Sequence, residues 1–528
     1  MTGSMTAVRT ALAVAAGLLV ASPAFAQDKG TDVKRNVTTV APQAPADTAR
    51  EDATRTMPVW ESFGESGTEN LAETMYRLTR EFQSTSDLGV RRLGAVPIWP
   101  RGDLKIGNVR ILPYLREGVE YQSNFYKKSL TGANGAENAN ESAWTHQNQV
   151  GILADMALAG GRLNLAASAD VIWNVRYDEG NPDRGRSANG NLIDPEKPDT
   201  TEFTGEFAAA YRFPSGVYVR GGIAFEQRDD PIDADPSSTE FQRTNRRTFL
   251  TAGMDRDIIF GSKFRFELGM NVRDTIGRTD GLDDLDRTET GFYLKASYPF
   301  WKNTTRIFGR ARYRQDERES DRINDGDVLG FDAGIEGSIP LREGEYKGLR
   351  GQVSIGFDSA LYESDTFGTG PTAVIRDDGR RNASLSASAI LQYMMSRKTT
   401  IDLRFLRTNQ FSFHGNYQIV DRFDLSVVHN ISPSLAGRVA TFFEYSDPSG
   451  LLRQRPVAGG PEGPDYPSST RFGVGTGLRY KLNDWLDADM NFEWERRNNR
   501  LTGFTNYTAS LGLTMYLNAL KPRRAAEQ

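Results

Sequence analysis

The run from Asn506 to Leu517, N-Y-T-A-S-L-G-L-T-M-Y-L, alternates without a break. Tyr507, Ala509, Leu511, Leu513, Met515 and Leu517 are apolar, and Thr508, Ser510, Gly512 and Thr514 between them are small or polar. A period of two marks a β-strand with two unlike faces. A strand in a soluble protein usually carries about five or six residues, whereas one crossing a bilayer at a tilt needs about nine to eleven. The run meets the longer requirement, and predicts the closing strand of a transmembrane β-barrel.

Upstream, the same rule repeats from Asn108 onward: an alternating run, a long polar stretch, another alternating run, a short turn. The clearest example places Leu163, Leu165, Ala167, Ala169, Val171, Trp173, Val175 and Tyr177 on one face, with Asn164, Ser168, Asp170, Asn174 and Arg176 on the other. Tight turns are expected at Gly160-Gly161, Pro214-Ser215-Gly216, Gly261-Ser262, Trp301-Lys302-Asn303 and Asn483-Asp484-Trp485. Most intervening connections, including 178–199, 229–244, 275–288, 363–381 and 447–470, are long. The count is about eighteen strands, an even number as single-chain outer-membrane barrels require. Nothing in a soluble sandwich or propeller makes every second connection tight, whereas periplasmic turns and extracellular loops do. The predicted class is therefore all-β, a transmembrane antiparallel barrel over residues 107–517.

Composition agrees. The 528 residues carry 64 basic and 69 acidic side chains, so no nucleic-acid footprint is expected. Mean hydropathy is −0.53, against spanning helices but compatible with strands that turn one face to a wet lumen. Residues 1–26 read as a secretory signal, with Arg9, an apolar core from Ala11 to Ala21 and an Ala24-Phe25-Ala26 cleavage site. There is no cysteine, so export brings no disulfide. The expected location is the Gram-negative outer membrane. Its lipid and lipopolysaccharide, and the barrel-assembly machinery, are the expected partners.

Residues 27–106 form an expected periplasmic extension, polar at first. Over 69–82, Leu71, Met75, Leu78 and Phe82 fall on one helical stripe, read either as packing on the barrel or as a plug or partner-docking helix. Residues 83–106, with Pro97 and Pro100, read as a linker, and 518–528 as a periplasmic tail.

Aromatics are expected in two girdles. Tyr211, Phe213, Tyr298, Phe300, Trp301, Tyr393, Tyr480 and Trp485 stand near short turns; Phe125, Tyr126, Trp173, Tyr177, Tyr313, Tyr362, Tyr445 and Trp494 stand near long loops. The opposite face then lines a lumen. Its candidate channel-lining residues are Arg265, Arg306, Arg310, Arg312, Asp358, Arg404, Arg438, Arg479, Asp489 and Glu493, accompanied by Glu267, Arg273, Arg314, Asp487 and Glu495. Barrels of sixteen to eighteen strands leave an aqueous channel, and rings of charge set what passes. Alternatively, the charges pair along the wall. With a turn at 483–485, Lys481 should face Asp487 and Arg479 should face Asp489.

Enzyme readings are weak, and no cofactor is expected. His146, His414 and His429 lack metal-ligand spacing. Gly473-Val474-Gly475-Thr476-Gly477 has no lysine or helix start to make a phosphate cradle, so inward glycines are the expectation. Asp229, Asp230, Asp233 and Asp235 could hold calcium, but their spacing matches no EF-hand and a solvated loop is the default.

The first strand, V-R-I-L-P-Y-L-R-E-G-V-E-Y-Q-S-N-F-Y from Val109 to Tyr126, resembles the opening of the β-barrel porin 2 family in Pro113, Tyr121, Ser123, Asn124 and Phe125. The resemblance implies an outer-membrane conduit for exopolysaccharide, working with a periplasmic export protein, and no catalytic residues. Ser510 to Leu517 also resembles the C-terminal signal read by the assembly machinery, except that residues 518–528 follow it. Three readings stay open. A polysaccharide conduit predicts an inward aromatic slide, for which Tyr218, Tyr293, Phe308 and Phe442 are candidates. A diffusion porin predicts an inward loop, 178–199 or 447–470. A surface structural or adhesive barrel predicts an occluded lumen.

Overall fold

The computed structural model describes residues 104–106, 109–123, 142–158, 162–178, 200–215, 217–230, 241–254, 264–277, 286–301, 305–318, 325–340, 348–363, 366–367, 374–375, 381–396, 398–411, 417–448, 468–483, 485–498 and 503–517. The signal segment, the 69–82 stripe, the calcium reading at Asp233 and Asp235, His414 and the C-terminal tail lie outside the described residues.

The chain runs through β1 (Leu104–Ile106), β2 (Val109–Gln122), β3 (Ala143–Leu158), β4 (Leu163–Asp178), β5 (Thr200–Arg212), β6 (Val217–Asp230) and β7 (Phe241–Met254). It continues through β8 (Arg265–Gly277), β9 (Arg287–Trp301), β10 (Thr305–Arg318), β11 (Gly326–Pro340) and β12 (Gly348–Tyr362). A small ribbon, β13 (Thr366–Phe367) with β14 (Val374–Ile375), stands apart from the main sheet. Then come β15 (Arg381–Ser396), β16 (Thr399–Phe411), β17 (Tyr417–Ser432), β18 (Leu435–Pro448), β19 (Ser469–Lys481), β20 (Leu486–Asn498) and β21 (Phe504–Tyr516). The main sheet has nineteen strands, one of them the three-residue β1, which leaves the eighteen full strands expected. Every pairing is antiparallel, the full strands pair in chain order with β12 passing over the β13–β14 ribbon to β15, and β21 returns to β2 to close the barrel, Tyr114 opposite Tyr516 through Gln122 opposite Thr508.

The closing strand behaves as its pattern requires. Tyr507, Leu511 and Leu513 are exposed on the outer face, while Asn506, Ser510 and Thr514 are buried inside. The phase holds around the wall, for Leu250, Leu294, Phe331, Ile355, Phe423, Val439 and Met490 all face outward. Aromatics meet at both rims: Tyr211 with Phe213 and Phe264 with Tyr298 at the short-turn end, Tyr121 with Trp144 and Phe472 with Trp494 at the long-loop end.

Two expectations change. Residues 83–106 are not linker throughout: β1 folds back so that Leu104 faces Ile111 and Ile106 faces Val109. It occupies the edge of β2 that β21, ending at Tyr516, leaves uncovered. Tyr362 belongs to no outer girdle. It lies inside, almost fully buried, with its ring 5.9 Å from that of Tyr417, because its strand carries Gln352, Ser354, Asp358 and Ala360 on the same inward phase.

Six of the inward aromatics share one arrangement. Tyr114, Tyr218, Tyr293, Tyr362, Phe308 and Phe442 stand opposite Gly151, Gly253, Gly269, Gly326, Gly334 and Gly473. The four tyrosine rings and that of Phe308 fill the space a Cβ would need on the facing glycine. A ring laid over a glycine recovers burial that the glycine itself cannot supply.

Gly337 and Gly351 face each other across β11 and β12, both at positive φ, 127° and 151°. A Cβ on Gly351 would also run into the Ile390 carbonyl oxygen. Gly351→Val is expected to cost about 1–3 kcal/mol from backbone strain alone. A lower denaturant midpoint than wild type, with Ile355→Val on the same outer face close to wild type, is the expected result. An unchanged midpoint for Gly351→Val would contradict it.

Candidate channel lining

Strand β10 turns Arg306, Phe308, Arg310, Arg312 and Arg314 to one face, because its polar and apolar positions keep a period of two. That face is internal. Arg306 donates to Ser297 Oγ at 3.0 Å and to the Ser297 carbonyl at 3.1 Å. Arg310 meets the Asp332 carboxylate at 3.0 Å, and Arg312 bridges Asp332 at 3.6 Å and Asp358 at 2.9 Å. The acids come from β11 and β12, so the arginine ladder and its counter-charges are built by consecutive strands.

Two contacts in this region reach much farther around the wall. Arg312 Nη2 donates to Ser386 Oγ on β15 at 2.9 Å, and Arg314 Nη2 to the Asn409 carbonyl on β16 at 2.6 Å. From β10 to β16 is four strand steps, about 19 Å along the sheet at about 4.8 Å each, more than one side chain spans. The wall therefore bends sharply over β11, β12 and β15 near the long-loop end, and the Tyr362–Tyr417 stack closes the same corner.

Elsewhere the interior carries further charge networks. Glu267 accepts from Tyr218 at 2.6 Å and Tyr293 at 2.8 Å, with Arg220 at 3.7 Å. Lys295 pairs with Glu336 and lies 4.6 Å from the Phe308 ring centre. Arg422 joins Asp424 at 2.8 Å and Glu444 at 3.0 Å, and it and Arg471 approach the Phe442 ring, while Arg471 pairs with Glu495.

The turn at 483–485 sets the register expected, Arg479 opposite Asp489 and Lys481 opposite Asp487. Two ion pairs run off that register. Arg479 reaches diagonally to Asp487 at 3.1 Å, and Asp489 takes Arg116 of β2 at 2.8 Å across the closing strand. Arginine is long enough to prefer the carboxylate one step along, where Tyr516 Oη also donates to Asp487 at 3.4 Å.

The remaining candidates sit on the inward phase. Arg265 stands opposite Ser297, Arg404 opposite Asp424, Arg438 opposite Gly477, and Glu493 opposite Gly475. Gly473, Gly475 and Gly477 are buried inward glycines within β19, not a phosphate cradle. The sequence reading missed Arg116, Tyr114 and Tyr516 as interior groups; the first two lie in a strand whose Leu112 also points inward and blurs the alternation. Leu71, Met75, Leu78 and Phe82 lie outside the described residues, as do loop residues 179–199 and 449–467.

Fold and interior together define a closed eighteen-strand antiparallel β-barrel, apolar outside and ionised within. Among solved structures, it is similar to a BenF-like porin from Pseudomonas fluorescens Pf-5, at 11% identity and a TM-score of 0.39 over 78% of this chain and 100% of that one. It is also similar to the outer membrane protein OpdK from Pseudomonas aeruginosa, at 10% identity and 0.36 over 77% and 98%. A third is the FrpB iron transporter from Neisseria meningitidis, at 9% identity and 0.37 over 77% and 81%. No family model and no curated protein matches the chain.

Proposed function

We propose that the protein is an outer-membrane porin whose barrel interior conducts small hydrophilic solutes. The carrying observation is the division of the wall. Large apolar side chains are exposed outward on strand after strand, and the inner face holds paired arginines and carboxylates. An apolar exterior between aromatic rims is what lipid and lipopolysaccharide require, and a polar interior at this strand number is what an aqueous path requires. The barrel-assembly machinery would insert such a chain. No step in this role calls for catalysis.

The polysaccharide reading drew on family resemblance and an aromatic slide. Tyr218, Tyr293, Phe308 and Phe442 do face inward, but each is paired with a glycine of the neighbouring strand, and both tyrosine hydroxyls are held by Glu267. Rings held in this way are poorly placed to stack on sugars, which favours solute diffusion. Planar-bilayer recording from the purified full chain tests the proposal. Steady conductance is expected, and its absence would count against a channel. Asp332→Asn with Asp358→Asn should shift the reversal potential in a salt gradient toward anions, because Arg310 and Arg312 lose their neutralising partners. An unchanged reversal potential would remove these residues from the conduction path.

A further inference from the structure

Among the described residues, the outward face carries an ionisable pair well inside its apolar band. Glu117 on β2 and His146 on β3 point outward and meet at 3.2 Å, with side chains 69% and 31% exposed. Around them stand Leu115, Val119, Val150 and Leu513. Asn148 faces Glu117 in register and shares the outer face.

Depth makes the pair unusual. Tyr121, whose ring meets Trp144, marks the aromatic rim on this part of the wall. Glu117 lies four residues below it, about 10 Å along the membrane normal for a strand rising about 3.3 Å per residue at a tilt of about 40°. Two other outward ion pairs among the described residues lie at the long-loop rim: Arg246 with Asp274 near the end of β8, and Arg407 with Asp421 beside Tyr445. An ionisable pair exposed at hydrocarbon depth is costly against lipid and is satisfied by a protein partner.

We propose that this face of β2 and β3 is the contact between two copies of the protein in the membrane. The inference rests on the outer-membrane reading above. Its chemistry is self-complementary: a carboxylate, an imidazole and an amide supply acceptors and donors on one small patch. Carboxylate and imidazole already meet at a single depth. A two-fold axis along the membrane normal therefore sets each Glu117 against the other copy's His146 without moving either out of plane, as an isologous contact requires. The neighbouring relief is low, with Ala154 opposite Ala167 and Ala169 opposite Gly205 on the outer face, so a second wall can approach closely.

The chain has no cysteine, which makes site-specific cross-linking clean. Val119→Cys and Val150→Cys flank the pair, and Leu329→Cys is an exposed outward position on the far side of the barrel. In isolated outer membranes a bis-maleimide should yield a dimer from the first two and none from the third. Adding Glu117→Leu and His146→Leu should reduce the dimer to the Leu329→Cys level while the barrel keeps its heat stability. Absence of dimer at both flanking sites, or equal dimer at all three, overturns the proposal. Undiminished dimer after the double replacement overturns the role of the pair. A chain missing from the outer-membrane fraction overturns the location itself, a separate result.

Discussion

A chain ending before Phe504 is expected to yield no folded, membrane-inserted barrel. The closing strand contributes nine register pairs to β2 and twelve to β20, and its removal leaves one edge of each neighbour unpaired along most of its length. In hydrocarbon an unsatisfied backbone group costs several kcal/mol, so an open edge of that length exceeds what any rearrangement of side chains could offset. The decisive control removes only residues 518–528. That chain retains β21 complete and should insert, although its basic Lys521-Pro522-Arg523-Arg524 is gone. Resistance to urea extraction from outer membranes and a heat-dependent gel shift report the outcome. Normal insertion of the longer truncation would refute closure by this strand, and failure of the shorter one would give the tail a role in assembly.

Asp487→Ala is expected to destabilise the barrel by about 3–5 kcal/mol, the range for removing one partner of a buried ion pair. The pair is the most enclosed of those described here, with Arg479 and Asp487 side chains 4% and 1% exposed. Arg479 donates to Asp487 and to Tyr516 Oη, and Tyr516 donates to Asp487, so three groups tie β19, β20 and β21 together. Removing the carboxylate takes from the buried guanidinium the acid that lies 3.1 Å from it. Asp487→Asn keeps an acceptor oxygen and the side-chain volume, and should lose less. By contrast, Asp421→Ala breaks a pair whose members are 25% and 36% exposed and should cost under about 1 kcal/mol. Denaturant midpoints of the refolded protein in one detergent rank the three. Equal midpoints for Asp487→Ala and Asp421→Ala would refute the argument.

Strand existence, number and facing were legible because each run keeps a period of two between recognisable turns. Even a register followed from a turn: Asn483 to Trp485 put Arg479 opposite Asp489, as found. Partner choice was not legible, since a long arginine selects among several carboxylates within reach. Arg116 and Asp489 meet only because the barrel closes, and no local pattern relates residues 373 positions apart. Tyr362 defeated the girdle rule because aromatics occur on both faces near a rim. The sharp bend over β11, β12 and β15 has no sequence mark beyond its small and polar inward residues, Gly330, Ser354, Gly356 and Ser384. β1 is too short to carry a period at all.

The glycines beneath the inward rings also bear on the calibre of the bore. Tyr114, Tyr218 and Tyr293 are accommodated by Gly151, Gly253 and Gly269, so the height of each ring above the wall depends on the absence of a Cβ beneath it. Enlarging any of these glycines would lift a ring off the wall and narrow the passage without changing one charge. In the porin proposed above, each tyrosine and the glycine beneath it would together set how far the ring stands off the wall.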